Sequence, residues 1–232
     1  QSQQARGIGM GKKASLARIL ILVCAVVETM FSLETLAWAL GDLGMGDKLE
    51  KLAFNALPAT IKADMTSHQY LQQVNQVRAS DEPRRWYNNA NNSNTFGLEP
   101  NFGCCTANMH QGWPKYAANL WMATRDDGLA ALSYAPCTVR FRAGGQPVRL
   151  RVKTEYPFED AVRIEVSVKA SCRFPIYLRV PAWCNEFKAV CAGETASVKD
   201  GVAKIEREWH TGDVIEISLP MTARATEWFH QS

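Results

Sequence analysis

Two adjacent cysteines, Cys104 and Cys105, are the residues whose type and placement point most directly to chemistry. Gly103 precedes them, Thr106 follows, and a helical pattern starts at once. A thiol at a helix N-terminus faces unsatisfied N–H groups and the positive end of the dipole, which lowers its pKa and makes thiolate accessible. Thiolate is both the nucleophilic and the metal-binding form of cysteine. Consecutive helical side chains point in different directions, so packing is a poor reason for the pair, although a core role stays open. Cys24, on an earlier helical stretch, is a third candidate. Three thiolates from two segments would supply three ligands of a tetrahedral zinc site, with a carboxylate or histidine as the fourth. Glu28 lies one helical turn beyond Cys24 and shares its face, with a solvated helix carboxylate as the alternative. The separation of Cys24 from Cys104 fits no short zinc-finger pattern. His68 and His110 read as hydrogen-bonded structural residues. Gly7-x-Gly9-x-Gly11 lacks the preceding strand that a phosphate-binding loop requires.

The elements that must position these residues fall into two halves. Val23, Val27, Met30, Phe31, Leu33, Leu36 and Leu40 recur at helical steps, with Gly41 as a stop. Asp47 to Leu57 repeats the pattern, and Pro58 ends it. His68 to Val77 is ambiguous between helix and strand, and Asn88 to Asn94 reads as a loop. A last helical stretch spans Thr106 to Met122, with a break at Gly112 and Pro114. Beyond Asp126-Asp127-Gly128 the period becomes two. Val148, Leu150 and Val152 alternate with Arg149, Arg151 and Lys153, and Val162, Ile164, Val166 and Val168 form a second such run. Ile176, Leu178 and Val180 make a third, and Ile215, Ile217 and Leu219 a late one. Short alternating strands between Gly, Pro and Asp predict an antiparallel sandwich, with the boundary near residue 125.

Composition is that of an ordinary globular protein, 47% hydrophobic and 21% charged. The net charge of +3, without a dense basic block, argues against nucleic acid as a partner. The apolar run Ala14 to Val27 is shorter than the ~20 residues of a membrane helix and contains Arg18. It reads as the front of a buried helix, so no membrane partner is expected, and the chain is expected to be soluble, cytoplasmic or periplasmic. Seven cysteines form no obvious disulfide framework, and a mostly reduced protein is expected. Cys137, Cys172, Cys184 and Cys191 read as small core residues.

Taken together, residues 24–42, 47–59, 68–77 and 102–122 resemble glycoside hydrolase family 127, the β-L-arabinofuranosidase-like enzymes. The segments FPIYLRVPAWC (174–184) and IEREWHTGDVIEISLPM (205–221) extend that resemblance into the second half. The Cys-Cys segment with D-x-x-E-x-x-x-x-N, here Asp47, Glu50 and Asn55, carries it most specifically. The family implies an (α/α) helical barrel followed by β-sandwich domains, and retaining hydrolysis with a zinc-bound cysteine nucleophile and a glutamate acid/base. Carried over by position, Cys104 resembles the nucleophile, Cys24 and Cys105 the companion zinc ligands, and Glu50 and Tyr70 residues that contact the sugar. The implied partner is a plant-type oligosaccharide or glycoside.

Several features depart from that pattern. Leu22 stands where the family has its zinc-ligand glutamate, and residues 1–27, where the acid/base would lie, contain no Asp or Glu. Residues 1–22 read as a leader unlike the family, 23–125 as part of a barrel, and 126–232 as the sandwich. Twelve barrel helices of ~11 residues would need more chain than that. The expectation is an α+β multidomain chain, an incomplete enzyme that is weakly active or inactive alone. Its unpartnered helices would expose apolar faces and favour self-association. A non-catalytic carbohydrate-binding module and a helical domain with a structural zinc site are the alternatives.

Overall fold

The computed structural model describes residues 20–73, 78–83, 90–98 and 103–225. The Gly7–Gly11 motif, most of the 1–22 leader and part of the 68–77 segment lie outside the described residues. The helical half opens with β1 (Leu20–Leu22), which pairs antiparallel with β2 (Leu71–Gln73). Of the run expected to be the front of a buried helix, Leu20–Leu22 is strand, whereas Val23–Val27 opens helix α1 as expected. A short apolar run carries no helical period of its own, and the backbone of β2 supplies its hydrogen-bond partners. The same pairing settles part of the ambiguous 68–77 segment as strand and ties the last residues of the expected leader to the fold.

Helix α1 (Val23–Leu40) follows and stops at Gly41, whose φ of +69° only glycine adopts without strain. Its length and mean hydropathy of 1.5 would let it cross a membrane. Val23, Val26, Val27, Met30, Leu33 and Ala37 instead form a buried stripe against α2 (Met45–Lys51), α4 (Gly103–Met109) and α5 (Gly112–Ala118). Phe31, Leu36 and Leu40, expected on that stripe, are exposed, as is Trp38 at 72%. The true stripe advances as i, i+3, i+4, i+7, which places them on its flanks. The expectation of self-association concerns this apolar surface.

Asp47–Leu57 is not one α-helix. After α2 the chain makes a π turn over Leu52–Ala56 and a last turn, α3 (Leu57–Ala59), in which Pro58 occupies the first turn rather than ending the helix. Trp113 Nε1 donates to the Ala53 carbonyl within the π turn, over 3.2 Å. The final helical stretch ends at Ala118 and breaks at His110–Gln111, and Gly112 and Pro114 belong to the start of α5. Helices α2–α5 gather around α1, and among the described residues the five close no barrel.

Two sheets complete the chain. The first runs β10 (Glu194–Thr195), β9 (Lys188–Cys191), β13 (Val214–Ser218), β7 (Ala161–Val168), β6 (Gln146–Thr154), β5 (Cys137–Ala143). The second runs β11 (Ser197–Lys199), β12 (Val202–Trp209), β8 (Cys172–Arg179), β4 (Leu129–Ala131), β3 (Trp121–Ala123). Pairing is antiparallel except between β4 and β8, which are parallel. Val148, Leu150 and Val152 point inward while Arg149, Arg151 and Lys153 point out, the period-two pattern of a strand with one wet face. Together with Phe174, Ile176, Leu178, Trp209, Ile215 and Ile217 they make a core shared by both sheets. Met122, expected in a helix, is in β3, so the sheet begins before residue 125. β4 serves two cores: Leu129 and Ala131 face the sandwich, while Ala130 and the following Leu132 face the helices. All seven cysteines are free, and Cys184 and Cys191 are buried in the sandwich core.

One buried cation joins the halves. Arg179, at the end of β8, is 1% exposed, and its Nε donates to the Leu132 carbonyl over 2.6 Å. Its guanidinium pairs with Asp47 and Glu50 of α2. Tyr156 donates its hydroxyl to Glu50 Oε2 over 2.8 Å, and the Ala182 N–H reaches Asp47 Oδ2 at 3.1 Å. A Cβ at Gly46 would come within 2.4 Å of the Leu132 carbonyl oxygen, so only glycine lets α2 lie this close to the sheet. Removing one partner of a buried ion pair leaves the other uncompensated. Arg179→Met is therefore expected to lower unfolding free energy by ~3–5 kcal/mol, read from urea denaturation. Adding Glu50→Leu should restore part of the loss, and equal stability of Arg179→Met and wild type would refute this account.

Glu34 of α1 is buried at 2% exposure and accepts a hydrogen bond from Asn119 Nδ2 over 2.9 Å. Burial pushes its carboxyl up to about 7, against the pull of Asn119 and Lys115. The folded chain thus holds this proton more tightly than the unfolded chain, and Glu34 makes stability fall as pH rises from the unfolded value through about 7. Glu34→Gln, which keeps an oxygen for Asn119, should melt with wild type at pH ~5 and above it at pH ~8. Parallel melting curves for the two proteins at every pH would contradict this.

Candidate functional site

Cys24 lies in the first turn of α1, and Cys104 and Cys105 in the first turn of α4. Packing of α4 across the start of α1 brings the three together. All three Sγ atoms lie within 4.8 Å of one another. Cys24 and Cys105 are 2.8 Å apart and Cys104 and Cys105 4.0 Å apart. Cys105 is buried, Cys24 half-buried and Cys104 exposed, so the cluster is closed on one side and open on the other.

A helix N-terminus was expected to acidify the pair, and for Cys105 the structure corrects this. Burial, followed by the contact with Cys24, pushes its thiol well up. A helix N-terminus contributes only about 0.3–1 kcal/mol, which does not offset that desolvation. Ionising Cys105 calls for a cation beside its sulfur. The donor set fits one: soft thiolates select zinc-like ions, and a tetrahedron with 2.3 Å Zn–S bonds has edges of about 3.8 Å. The 4.0 Å pair matches that edge, whereas the 2.8 Å pair would have to open by about 1 Å. Glu28 is exposed and is not in the metal-competent group found among the described residues.

The surroundings hold α4 in place. His68, 3% exposed, has Nε2 3.0 Å from Thr106 Oγ1 and Nδ1 3.3 Å from the Gln69 carbonyl, the structural role expected of it. His110 is exposed. Tyr70 is half-buried beside the cluster: burial raises its phenol, and the proximity of the Cys105, Cys104 and Cys24 sulfurs raises it further. Glu50, expected to contact a sugar, commits its carboxylate to Arg179 and Tyr156 in the junction. Asn108, which sequence reasoning passed over, donates from Nδ2 to Cys24 Sγ over 3.4 Å. Its position one turn after Cys104 was the available signal.

Comparison with known proteins bears on this arrangement. Residues 128–221 match the profile described as "Beta-L-arabinofuranosidase, GH127 middle domain". That stretch is similar to a GH127 middle domain. The resemblance of the chain to glycoside hydrolase family 127, read from its sequence, therefore stands. A GH127 β-L-arabinofuranosidase from Geobacillus stearothermophilus T6 has the same fold over 87% of this chain, with a TM-score of 0.73 at 21% identity. A second GH127 β-arabinofuranosidase matches with a TM-score of 0.70 at 21% identity, again over 87% of this chain. A structure described as a glycoside hydrolase matches with a TM-score of 0.74 at 20% identity, over the same share. The chain spans about a third of the length of these proteins, 32%, 32% and 33%. No curated protein sequence matches it.

Leu22→Glu places a carboxylate two positions before Cys24, where the resemblance to family 127 implies one. Zinc content by atomic absorption is expected near one ion per chain in wild type, lower in Cys104→Ser, and more tightly held in Leu22→Glu. Metal-free protein in all three would show that these thiols only pack.

Proposed function

We propose that this chain carries the sulfur-ligand part of a retaining glycosidase site of the β-L-arabinofuranosidase type. Cys104 is its nucleophile, and Cys24 and Cys105 are its companion zinc ligands. The observation that carries this reading is the convergence of three thiols from two helices, with Cys104 alone exposed. Helices α1–α5 are then an arc of an (α/α) barrel, laid against the outer face of the GH127 middle domain. The exposure of Cys104 favours this reading over a purely structural metal site, whose ligands would be closed off on all sides.

In this reading Cys24 and Cys105 would hold a zinc ion together with Cys104, and such an ion would supply the positive charge that favours the thiolate form. The Cys104 sulfur attacks the anomeric carbon, forming a C–S bond as the glycosidic C–O bond breaks. The departing oxygen takes a proton from a general acid. Water then attacks the same carbon, returning the thiolate and releasing the sugar with net retention. Tyr70 borders the sulfurs and is positioned to contact the sugar. The substrate is a plant-type glycoside with a furanose of arabinose shape.

The residues before Cys24 supply no acid. Residues 1–27 contain no carboxylate, and absence of a general acid costs about 10²–10⁴ in rate. An activated aryl β-L-arabinofuranoside needs little protonation of its leaving group, whereas the second step still wants a base. Incubation of the zinc-loaded chain with that substrate should accumulate a glycosyl adduct on Cys104, found by peptide mass spectrometry, with slow turnover. Turnover that persists in Cys104→Ser would sink the nucleophile assignment, and rapid turnover of an unactivated arabinofuranoside would refute the weak activity.

A further inference from the structure

Asn108 meets the sulfur cluster without belonging to it. It lies one turn after Cys104 on α4, so the two side chains share a helix face. Its Nδ2 donates to Cys24 Sγ over 3.4 Å, linking α4 to the first turn of α1. A side-chain amide carries a donor at one end and an acceptor at the other, and only the donor end serves a thiolate. Gln111 fixes which end faces the sulfur. Its Nε2 donates to Asn108 Oδ1 over 3.3 Å and to the Ala107 carbonyl over 3.4 Å. With its oxygen occupied in this way, Asn108 has its NH₂ turned to Cys24.

We infer that Asn108, latched by Gln111, is a positioning residue for the metal-binding sulfurs: its amide fixes Cys24 Sγ and offsets part of the charge crowded there. The inference rests on the proposed role of the three thiols as metal ligands, and it assigns to this chain a supporting contact that the ligands alone do not provide. Three thiolates around one divalent ion leave a net negative charge, and a fixed N–H donor disperses part of it. The same bond holds the lone-pair direction of Cys24 while the 2.8 Å contact with Cys105 opens to admit an ion. Outer contacts of this kind are worth ~10–100-fold in metal affinity.

The test uses the full chain and zinc itself, titrated against a chromophoric chelator. Asn108→Leu keeps the volume and removes the donor, and Gln111→Met leaves the donor but frees its direction. Zinc affinity is expected to fall ~10–100-fold in Asn108→Leu and by a smaller factor in Gln111→Met. Substituted with cobalt(II), both variants should show a shifted thiolate-to-metal absorption band, which a change in overall stability would not produce. Melting of the metal-free proteins checks that the variants fold. Wild-type affinity and an unchanged cobalt spectrum in both variants, with affinity lost in Cys24→Ser, would overturn the role of Asn108 and leave the metal site standing. A wild-type chain that takes up neither zinc nor cobalt would overturn the metal site and this inference with it.

Discussion

The structure depends on a charge that has no water around it. Arg179 is buried at the meeting of strand and helix, and a guanidinium there is tolerable only because acceptors surround it: the Leu132 carbonyl, Asp47 and Glu50. Those acceptors come from both halves, so satisfying the charge fixes how the halves meet. Helix α2 is drawn down until Gly46 touches the sheet. Helix α1 packs on α2, and the first turn of α1 carries Cys24. The position of a candidate ligand thus traces back, through two helix contacts, to an ion pair in the junction.

The sulfur cluster has the opposite character. Its groups are held together by packing, and burial disfavours the ionised form of Cys105. In the junction the countercharges are built into the chain; at the thiols they would come from outside it. A site of this kind is shaped by the fold and completed by what binds, which couples its occupancy to the stability of the α1–α4 contact.

How much of this the sequence displays depends on the range of the interaction. Val148 to Val152 and Val162 to Val166 reveal their strands, because alternation is written residue by residue. Gly41 reveals the end of α1 because the turn there needs its φ. The union of Cys24 with Cys104 and Cys105 was legible only through the family pattern, since no local spacing encodes a contact across 81 positions. Arg179 was invisible for the same reason. In a strand reading Leu-Arg-Val it looks like any outward-facing residue, and only the arrival of α2 turns that face inward. Leu20–Leu22 was misread because three apolar residues have no period, and the partner that makes them a strand lies some fifty positions on.

The two-sided strand β4 has a consequence for how such a protein can be inherited. Leu129 and Ala131 belong to one core, Ala130 and Leu132 to the other, within four consecutive residues. A recombination point placed at the change of sequence period would give one descendant both faces of that strand and leave the other with an open seam. The stretch that matches the middle-domain profile is a recognisable unit of sequence, but it is not a detachable brick. Lineages that exchange it must carry along the helices that lean on it, or evolve a new lining for the face they leave bare.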